Sequence, residues 1–268
     1  MGGQIIGFQE WLQTPAGQYL LGWERAEFDE AVADIFGFHA VQLGLTEMDA
    51  LQGNRMPHRW LSVGDAQVAQ GGQSRKRIIA FASDFSALPF AANSLDLVIL
   101  PHTLELGADP HACLREVERV LVPEGRVIIC GLNPVSLWGF RQRRAKFYAR
   151  AGFGEHYLPQ QGEFIGYWRL RDWLRLLSFE VETSRFGCYR PSVKSQGWLD
   201  RFAWMDRLGR RWWPIFGAVY FVVAVKKVRG VRLLGMPWKA AASRANAPVS
   251  VANQSRQQRA DDVPDNTV

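Results

Sequence analysis

Short apolar runs separated by polar turns make residues 77–134 the most regular part of this 268-residue chain. The runs occupy residues 78–81, 95–100 and 127–130, and only Asp96 interrupts the second one. Runs of this length are typical of strands that are buried on both faces of a sheet. The pattern therefore predicts three strands in this part of the chain, of which the second and third are buried.

A helix is predicted between the second and third of these strands. Asp109 can cap its first turn, and Pro110 follows at the first helical position, where proline loses no hydrogen bond. Apolar residues then recur three and four positions apart, at Leu114, Val117 and Leu121. Strand, helix and strand together form a βαβ unit, whose crossover is nearly always right-handed.

The predicted βαβ unit also indicates where a ligand would bind. Ligands of open α/β sheets lie beyond the carboxyl ends of the strands. By that rule Asp84, residues 100–102 and residues 131–134 share one rim of the sheet. We therefore expect the functional site at this rim.

The other predicted elements fit a single α/β domain over residues 1–229, which begins with a helical lead-in over residues 1–37. Apolar residues at helical spacing predict the lead-in helix, namely Phe28, Val32, Ile35 and Phe36. Further strands are predicted at residues 38–43, 59–63, 179–183 and 218–226, and helices from residue 136 and over residues 168–177. Residues 230–268 contain few large apolar side chains, and we predict that they form a disordered tail.

Several segments resemble the class I S-adenosylmethionine-dependent methyltransferases, and among them the small-molecule group of methyltransferase type 11. The segments are residues 84–90 (DFSALPF), 94–98 (SLDLV), 104–105 (LE), 109–110 (DP) and 119–125 (RVLVPEG). Their order and spacing are similar to the second half of that family. The resemblance implies a Rossmann-like, seven-stranded, mostly parallel sheet with helices on both faces. It also implies S-adenosylmethionine as the cofactor and a small or medium organic molecule as the methyl acceptor.

The resemblance further implies an acidic residue and a Gly-x-Gly-x-Gly loop after the first strand. This chain has Gln42 at the acidic position, keeps Gly44, and has Thr46 and Met48 at the other two glycine positions. Glycines let the backbone approach the cofactor closely, so we expect these two side chains to crowd it. S-adenosylmethionine carries no phosphate, so a cradle of backbone N–H groups is not compulsory. We therefore expect cofactor binding that is measurable but weaker than is usual in the family.

Seven cofactor-binding residues are expected by analogy with the family: Leu43, Gly44, Asp65, Asp84, Phe85, Leu100 and His102. Asp84 would accept the adenine amino hydrogens and the Phe85 N–H would meet a ring nitrogen, or Asp84 is a turn residue without a ligand. Asp65, 21 positions after Gly44, would bind the ribose hydroxyls, or it is an ordinary exposed turn aspartate.

His102 follows the predicted fourth strand, where the transferred methyl group is expected. It is a candidate catalytic base, because histidine titrates near neutral pH. The alternatives are a contact with the cofactor and a packed histidine at the rim, and the base is the less favoured option. Glu105 matches the family's Leu-Glu pair, but Leu106 replaces the histidine that follows it there.

Charge and cysteine content restrict the partners. The formal net charge is +6, but residues 226–268 contain eight Lys or Arg and three Asp, so the rest of the chain is nearly balanced. A nucleic-acid partner is therefore not indicated. The three cysteines show no metal-site spacing, so no metal is expected and a reduced, cytoplasmic location fits. No signal peptide is expected, and the longest apolar run, 14 residues at 212–225, is too short to span a bilayer.

Aromatic and arginine side chains are mixed between Trp198 and Phe216. One interpretation is a lid over an apolar substrate, or a surface that rests on a membrane or a lipid-like substrate. The other is a helix packed on the sheet with its arginines in water. Aromatic stripes usually belong to the core, so the second interpretation is favoured.

Two functions remain in competition at this point. The favoured one is S-adenosylmethionine-dependent methyl transfer to a small or medium organic acceptor. The alternative is a non-catalytic, methyltransferase-like binding or regulatory module that has lost cofactor binding. The missing glycines favour the alternative, and the complete 84–134 region opposes it. Nicotinamide-dependent redox chemistry is disfavoured, since the chain has no phosphate-binding glycine loop.

Overall fold

A computed structural model of the chain describes residues 7–64, 80–149, 158, 164–193 and 195–227. Within these residues one sheet has seven strands: β1 His39–Leu43, β2 His58–Val63, β3 Phe81–Ala82, β4 Leu95–Pro101, β5 Leu121–Leu132, β6 Phe179–Gly187 and β7 Val219–Lys226. Their spatial order is β3-β2-β1-β4-β5-β7-β6. Strands β1 to β5 pair in parallel, and β7 runs antiparallel to both β5 and β6.

The sheet carries helices on both faces. The described helices are α1 Phe8–Leu12, α2 Pro15–Ala33, α3 Thr103–Leu106, α4 Pro110–Val120, α5 Leu137–Ala149, α6 Tyr167–Leu176, α7 Gln196–Arg201 and α8 Trp204–Trp212, with a 3₁₀ turn at Pro214–Phe216. One core layer joins α1 and α2 to the sheet, with the rings of Phe28 and Phe221 5.0 Å apart. The second layer joins α4 and α6 to the opposite face. The predicted seven-stranded, mostly parallel fold is confirmed.

Helix α4 forms as its sequence predicts. The Asp109 carboxylate accepts a hydrogen bond from the backbone N–H of Ala112 (2.9 Å), and Pro110 occupies the first turn. Leu114 and Val117 are fully buried against the sheet. The cap and the apolar face together direct the chain from the rim at the end of β4 back to the start of β5.

Two boundaries differ from the sequence prediction. Helix α2 begins early because the Thr14 hydroxyl caps it, accepting from the Gly17 N–H at 3.2 Å. It ends at Ala33, so Phe36 lies outside the helix and is exposed. Strand β5 continues through the turn predicted at residues 123–125, where Glu124 adopts a left-handed φ of 63° and the pairing register with β4 shifts.

Residues 78–79 of the predicted third strand, Asp65 and the predicted tail at 230–268 lie outside the described residues. None of the helices in the described part of the chain is long and apolar enough to cross a membrane.

Candidate cofactor-binding site

A cavity of about 510 Å³ lies at the carboxyl ends of β1, β3 and β4. Its lining comes from the segments that follow those strands and from the first turns of α3 and α4, and includes Gly44, Gly64, Asp84, Phe85, Thr103 and Asp109. Small-molecule sites in proteins have volumes of about 300–1,000 Å³. The cavity therefore lies where the sheet topology predicts a ligand and is large enough for a cofactor.

Gly44 forms one wall of the cavity. Its φ is +76°, a left-handed conformation that favours glycine, and a Cβ there would lie 3.4 Å from the Thr103 hydroxyl oxygen. That hydroxyl donates a hydrogen bond to the carbonyl of Leu43, so it ties the ends of β1 and β4 together. The glycine thus exposes backbone to the cavity on a fixed support.

Asp84 and Phe85, after β3, form another part of the lining. The Asp84 carboxylate is exposed and accepts a hydrogen bond from the Ser86 N–H (2.9 Å), which lowers the pKa of Asp84. The Phe85 ring lies 3.6 Å from the position that a Cβ of Gly64 would occupy and 3.8 Å from the corresponding position at Gly44. An aromatic ring therefore packs beside both glycines, and Asp84 adds a charged hydrogen-bond acceptor to the cavity.

The charged side chains among the described lining residues of the cavity are acidic. Asp84 and Asp109 line it, and no lysine or arginine is present among its described lining residues. Burial raises the pKa of the Cys113 thiol to about 12, and both carboxylates add to that effect, so the thiol is neutral. Phosphate groups need N–H donors or cations around them. This lining suits a phosphate-free ligand that carries positive charge and hydrogen-bond donors.

The Gln42 side chain holds the loop after β1 through hydrogen bonds to its backbone. The buried Gln42 side-chain amide donates to the carbonyls of Leu45 and Met48, both at 2.8 Å, and its oxygen accepts from the Ala50 N–H at 2.9 Å. An acid at this position has no proton to donate to the two carbonyls. The amide therefore explains how this loop is ordered with glutamine in place of the acid.

Thr46 and Met48 point away from the cavity. Both side chains are buried, Met48 within the core layer beneath α2, and neither belongs to the cavity lining. Neither side chain therefore belongs to this cavity, and weaker cofactor binding through the loop stays a prediction. The physical reason for their burial is the Gln42 network, which turns the loop so that its apolar side chains pack into the core.

The structure brings some of the seven proposed residues together and separates others. Gly44, Asp84 and Phe85 line the cavity. Leu43, Leu100 and His102 are buried and are not among its lining residues. Asp65 lies outside the described residues, although its neighbour Gly64 belongs to the lining. Thr103 and Asp109 line the cavity without having been singled out for cofactor binding by sequence reasoning.

His102 belongs to a sealed polar cluster behind the cavity. It adopts a left-handed φ of 55° and is fully buried. Its Nε2 lies 2.7 Å from Glu24 of α2, and its Nδ1 lies 2.9 Å from Glu105 of α3. Helix α1 covers the cluster, with the Phe8 ring 5.0 Å from the imidazole.

The two carboxylates keep the imidazole of His102 charged. Burial by itself disfavours the imidazolium, but the Glu24 carboxylate and the hydrogen bonds to both glutamates outweigh it and raise the pKa of His102 to about 10. Burial raises the pKa of Glu105. A protonated imidazole with both nitrogens bonded cannot accept a proton at neutral pH. This geometry therefore favours the packed-histidine interpretation over the catalytic base.

Three side chains of types that ligate metals lie close together, namely Glu24, His102 and Cys130. The Cys130 thiol lies 3.2 Å from the Glu24 carboxylate oxygen that also bonds His102. In a tetrahedral zinc site each ligand atom lies about 2.0–2.3 Å from the ion, so any two ligand atoms are more than about 3 Å apart. The 2.7 Å separation between Glu24 and His102 is that of a hydrogen bond, so we interpret the cluster as a hydrogen-bonded one.

Comparison with known proteins gives one family match and several similar chains. Residues 61–129 match a family model described as a methyltransferase domain. The Escherichia coli (strain K12) protein YafS, described as uncharacterized, is 32% identical over 174 residues, which cover 65% of this chain and 65% of YafS. Demethylmenaquinone methyltransferase of Bacillus velezensis is 29% identical over 106 residues, covering 39% of this chain and 45% of that enzyme. The alignments thus span less than two thirds of either curated relative.

A solved structure has a similar fold. It is a chain from a complex between the Haloferax volcanii Trm112 methyltransferase activator and a methyltransferase, with a TM-score of 0.55 and 17% identity. The match covers 83% of this chain and 97% of that chain. At this identity the likeness concerns the fold alone.

Proposed function

Because the chain contains a class I methyltransferase domain, we propose that it is an S-adenosylmethionine-dependent methyltransferase acting on a small or medium organic acceptor. The cofactor would occupy the cavity between Gly44 and Asp84. The observation that carries the proposal is the cavity itself, since it lies at the strand ends of a class I sheet and its described lining has two carboxylates and no cation.

The chemistry of the lining supports this cofactor over a dinucleotide. S-adenosylmethionine carries a sulfonium and an ammonium group and no phosphate, so acidic walls attract it. A dinucleotide brings a pyrophosphate, which the carboxylates of Asp84 and Asp109 would repel. Asp84 would accept hydrogen bonds from the adenosyl group, and Gly44 would let the backbone approach the ligand closely.

When bound, S-adenosylmethionine would supply a methyl group on a positively charged sulfur: an electron pair of the acceptor would bond to the methyl carbon as the methyl–sulfur bond breaks in line, which leaves the thioether S-adenosylhomocysteine. The protein's residues contribute alignment and exclusion of water rather than bond-making groups. Thr103 fixes the ends of β1 and β4 relative to each other, which holds the wall at Gly44 in place. Reaction geometry would therefore depend on this support.

The state of His102 limits the acceptors. With its imidazole protonated and bonded to two glutamates, His102 does not take a proton from the acceptor at neutral pH. An acceptor that has to lose a proton would therefore not lose it to His102. One matched relative is named for demethylmenaquinone. The proposal stays at the level of small or medium organic acceptors.

The test is calorimetric titration of the full chain with S-adenosylmethionine, its demethylated product S-adenosylhomocysteine, and NAD⁺. We expect the first two to bind and NAD⁺ not to bind. Asp84→Ala should weaken cofactor binding by about tenfold, because it removes a charged hydrogen-bond acceptor. The matched control is Asp172→Ala on the exposed face of α6, which should leave binding unchanged.

Each other outcome has a definite meaning. If neither adenosyl compound binds, the non-catalytic module replaces the proposed enzyme. If NAD⁺ alone binds, the redox interpretation returns. If both bind and both aspartate variants behave like the parent chain, the cofactor lies elsewhere than the Asp84 wall.

A further inference from the structure

The segment from α7 to the 3₁₀ turn exposes large apolar side chains. Trp204 and Trp212 of α8 are 55% and 68% exposed, and Trp213, Ile215 and Phe216 are also exposed. The sequence prediction favoured a core position for such aromatic residues. Large contiguous patches of exposed apolar side chains on a protein surface mark interaction sites.

The inner face of α8 fixes which side chains point outward. Gly209 lies directly against the Tyr189 ring, with no room for a Cβ. Asp206 accepts hydrogen bonds from the Tyr19 hydroxyl and from Arg190 (2.8 Å). Trp204, Leu208 and Trp212 are four residues apart, so they form a stripe away from these contacts.

The outward face of α8 also carries unpaired positive charge. Arg207, Arg210 and Arg211 are exposed, and none of them forms an ion pair with a carboxylate in the described part of the chain. The acids of this region are engaged elsewhere, since Asp200 and Asp206 both pair with Arg190, at 3.7 and 2.8 Å. The charge offered to solvent is therefore positive.

A second exposed group continues this surface. The Asn133 side chain donates to the carbonyls of Ile215 (2.7 Å) and Gly217 (2.9 Å), which holds the 3₁₀ turn against the loop after β5. That loop and the start of α5 expose Val135, Leu137 and Phe140. Asn133 directly follows the carboxyl end of β5, so the combined surface adjoins the functional rim of the sheet.

We propose that this surface docks on membranes that contain anionic phospholipids. We call it the Trp–Arg surface and define it by Trp204, Arg207, Leu208, Arg210, Arg211 and Trp212. Tryptophan and leucine insert at the boundary of headgroups and acyl chains, while arginines beside them meet lipid phosphates.

The composition of the surface favours a bilayer over a nucleic acid. Arginine and tryptophan could bind phosphates and stack on bases. Leu208, Ile215 and Leu137 are aliphatic and exposed, and they offer neither a cation nor a flat ring to a nucleotide. Acyl chains are the partner that gains from contact with them.

The experiment is co-sedimentation of the full chain with vesicles of phosphatidylcholine alone or mixed with phosphatidylglycerol. The test variant is Arg207→Gln/Arg210→Gln/Arg211→Gln. Each arginine near an anionic surface contributes about 1 kcal/mol, so the triple variant should bind mixed vesicles about 100-fold more weakly. The control is Arg169→Gln/Arg171→Gln/Arg175→Gln, which removes equal charge from exposed positions of α6 and should bind like the parent chain.

A second pair of variants tests the apolar contact. Trp204→Ala/Trp212→Ala should lose binding, whereas Trp168→Ala, at a tryptophan of α6 that is 56% exposed, should not. Because the basic residues at 226–268 remain in every variant, any binding through them is common to all. The melting temperature of each variant checks that the fold is kept.

Three results would overturn the proposal. One is no binding of the parent chain to mixed vesicles at low salt. Another is equal loss in the two triple-arginine variants, which would make net charge the cause. The last is an oligonucleotide that displaces the chain from vesicles and loses affinity through the same three α8 arginines, which would identify a nucleic-acid surface instead.

Discussion

The adjacent residues His102 and Thr103, at the end of β4, have opposite surroundings. Thr103 faces a cavity with exposed carboxylates and a bare glycine backbone. His102 faces a sealed cluster in which both ring nitrogens are bonded. One strand end therefore supports binding on one side and rigidity on the other. A histidine at a functional rim can be part of the support for a site without taking part in its chemistry.

The largest expected loss of stability comes from breaking the sealed cluster around His102. Glu24→Ala would leave the buried, charged His102 with one carboxylate instead of two. Breaking a buried ion pair costs about 3–5 kcal/mol, so we expect the free energy of unfolding to fall by that amount. Urea denaturation followed by circular dichroism measures it. The control is Glu30→Ala on the exposed face of the same helix, and equal losses in the two variants would show that the cluster contributes no special stability.

Variants in the loop after β1 allow effects on core packing and effects on cofactor binding to be measured separately. Met48→Ala removes a side chain that is 1% exposed, and large-to-small changes in a core cost about 2–5 kcal/mol. We expect that loss of stability, whereas Met48→Leu should cost less than about 1.5 kcal/mol. Thr46→Gly/Met48→Gly should likewise be destabilised and should bind S-adenosylmethionine no more tightly. Tighter binding by the double glycine variant would mean that these side chains do crowd the cofactor.

The pH dependence of stability reports the charge on His102. Its pKa of about 10 lies above the ordinary value of about 6.5. The stabilisation it provides is therefore complete below pH 6.5 and is lost as the pH rises towards 10. The slope should reach about 1.4 kcal/mol per pH unit at most.

Other groups of the cluster contribute with the same sign. Burial raises the pKa of Glu105, whose contribution begins to be lost above its ordinary value of about 4.3, and the pKa of Cys130, which acts above about pH 8.5. Between pH 6.5 and 8 the contribution of His102 is therefore obtained by comparing the parent chain with a variant that lacks the imidazole. His102→Asn, whose side chain tolerates a positive φ, should flatten the stability curve in that window. An unchanged slope would assign the effect to another group.

The smallest loss of stability is expected in the wall of the cavity. In Gly44→Ala the new methyl group would be in ordinary contact with Thr103, at 3.4 Å. The φ of +76° is the main cost, at about 1–2 kcal/mol. Thermal melting should show this modest loss. A loss as large as that of Glu24→Ala would mean that the cavity wall is as tightly packed as the sealed cluster.

The sequence predicted the fold well because the signals are local. Apolar runs marked β4 and β5, and the Asp109–Pro110 start marked α4. The boundaries were less certain where a long-range contact decides them. Strand β5 passes through the proline-glycine turn because β4 pairs with it on both sides of the turn, Leu95 with Leu121 and Leu97 with Arg126. Helix α1 carries no strong periodic signal in its five residues, so the predicted helical lead-in over residues 1–37 did not separate it from α2.

The site was only partly predictable. Gly44, Asp84 and Phe85 follow strand ends and could be assigned from topology. The Glu24–His102 pair joins residues 78 positions apart, which no spacing rule reveals. One signal was available, since Glu24 lies between Leu20 and Phe28 on the buried face of α2. A carboxylate on an apolar stripe indicates a buried partner.

The most direct test of the account is a crystal structure of the chain with S-adenosylhomocysteine at saturating concentration. We expect the ligand in the cavity between Gly44 and Asp84, with the Asp84 carboxylate accepting hydrogen bonds from its adenosyl group. We also expect His102 to stay bonded to Glu24 and Glu105. An empty cavity, or a ligand bound at another place on the chain, would contradict the assignment of this site.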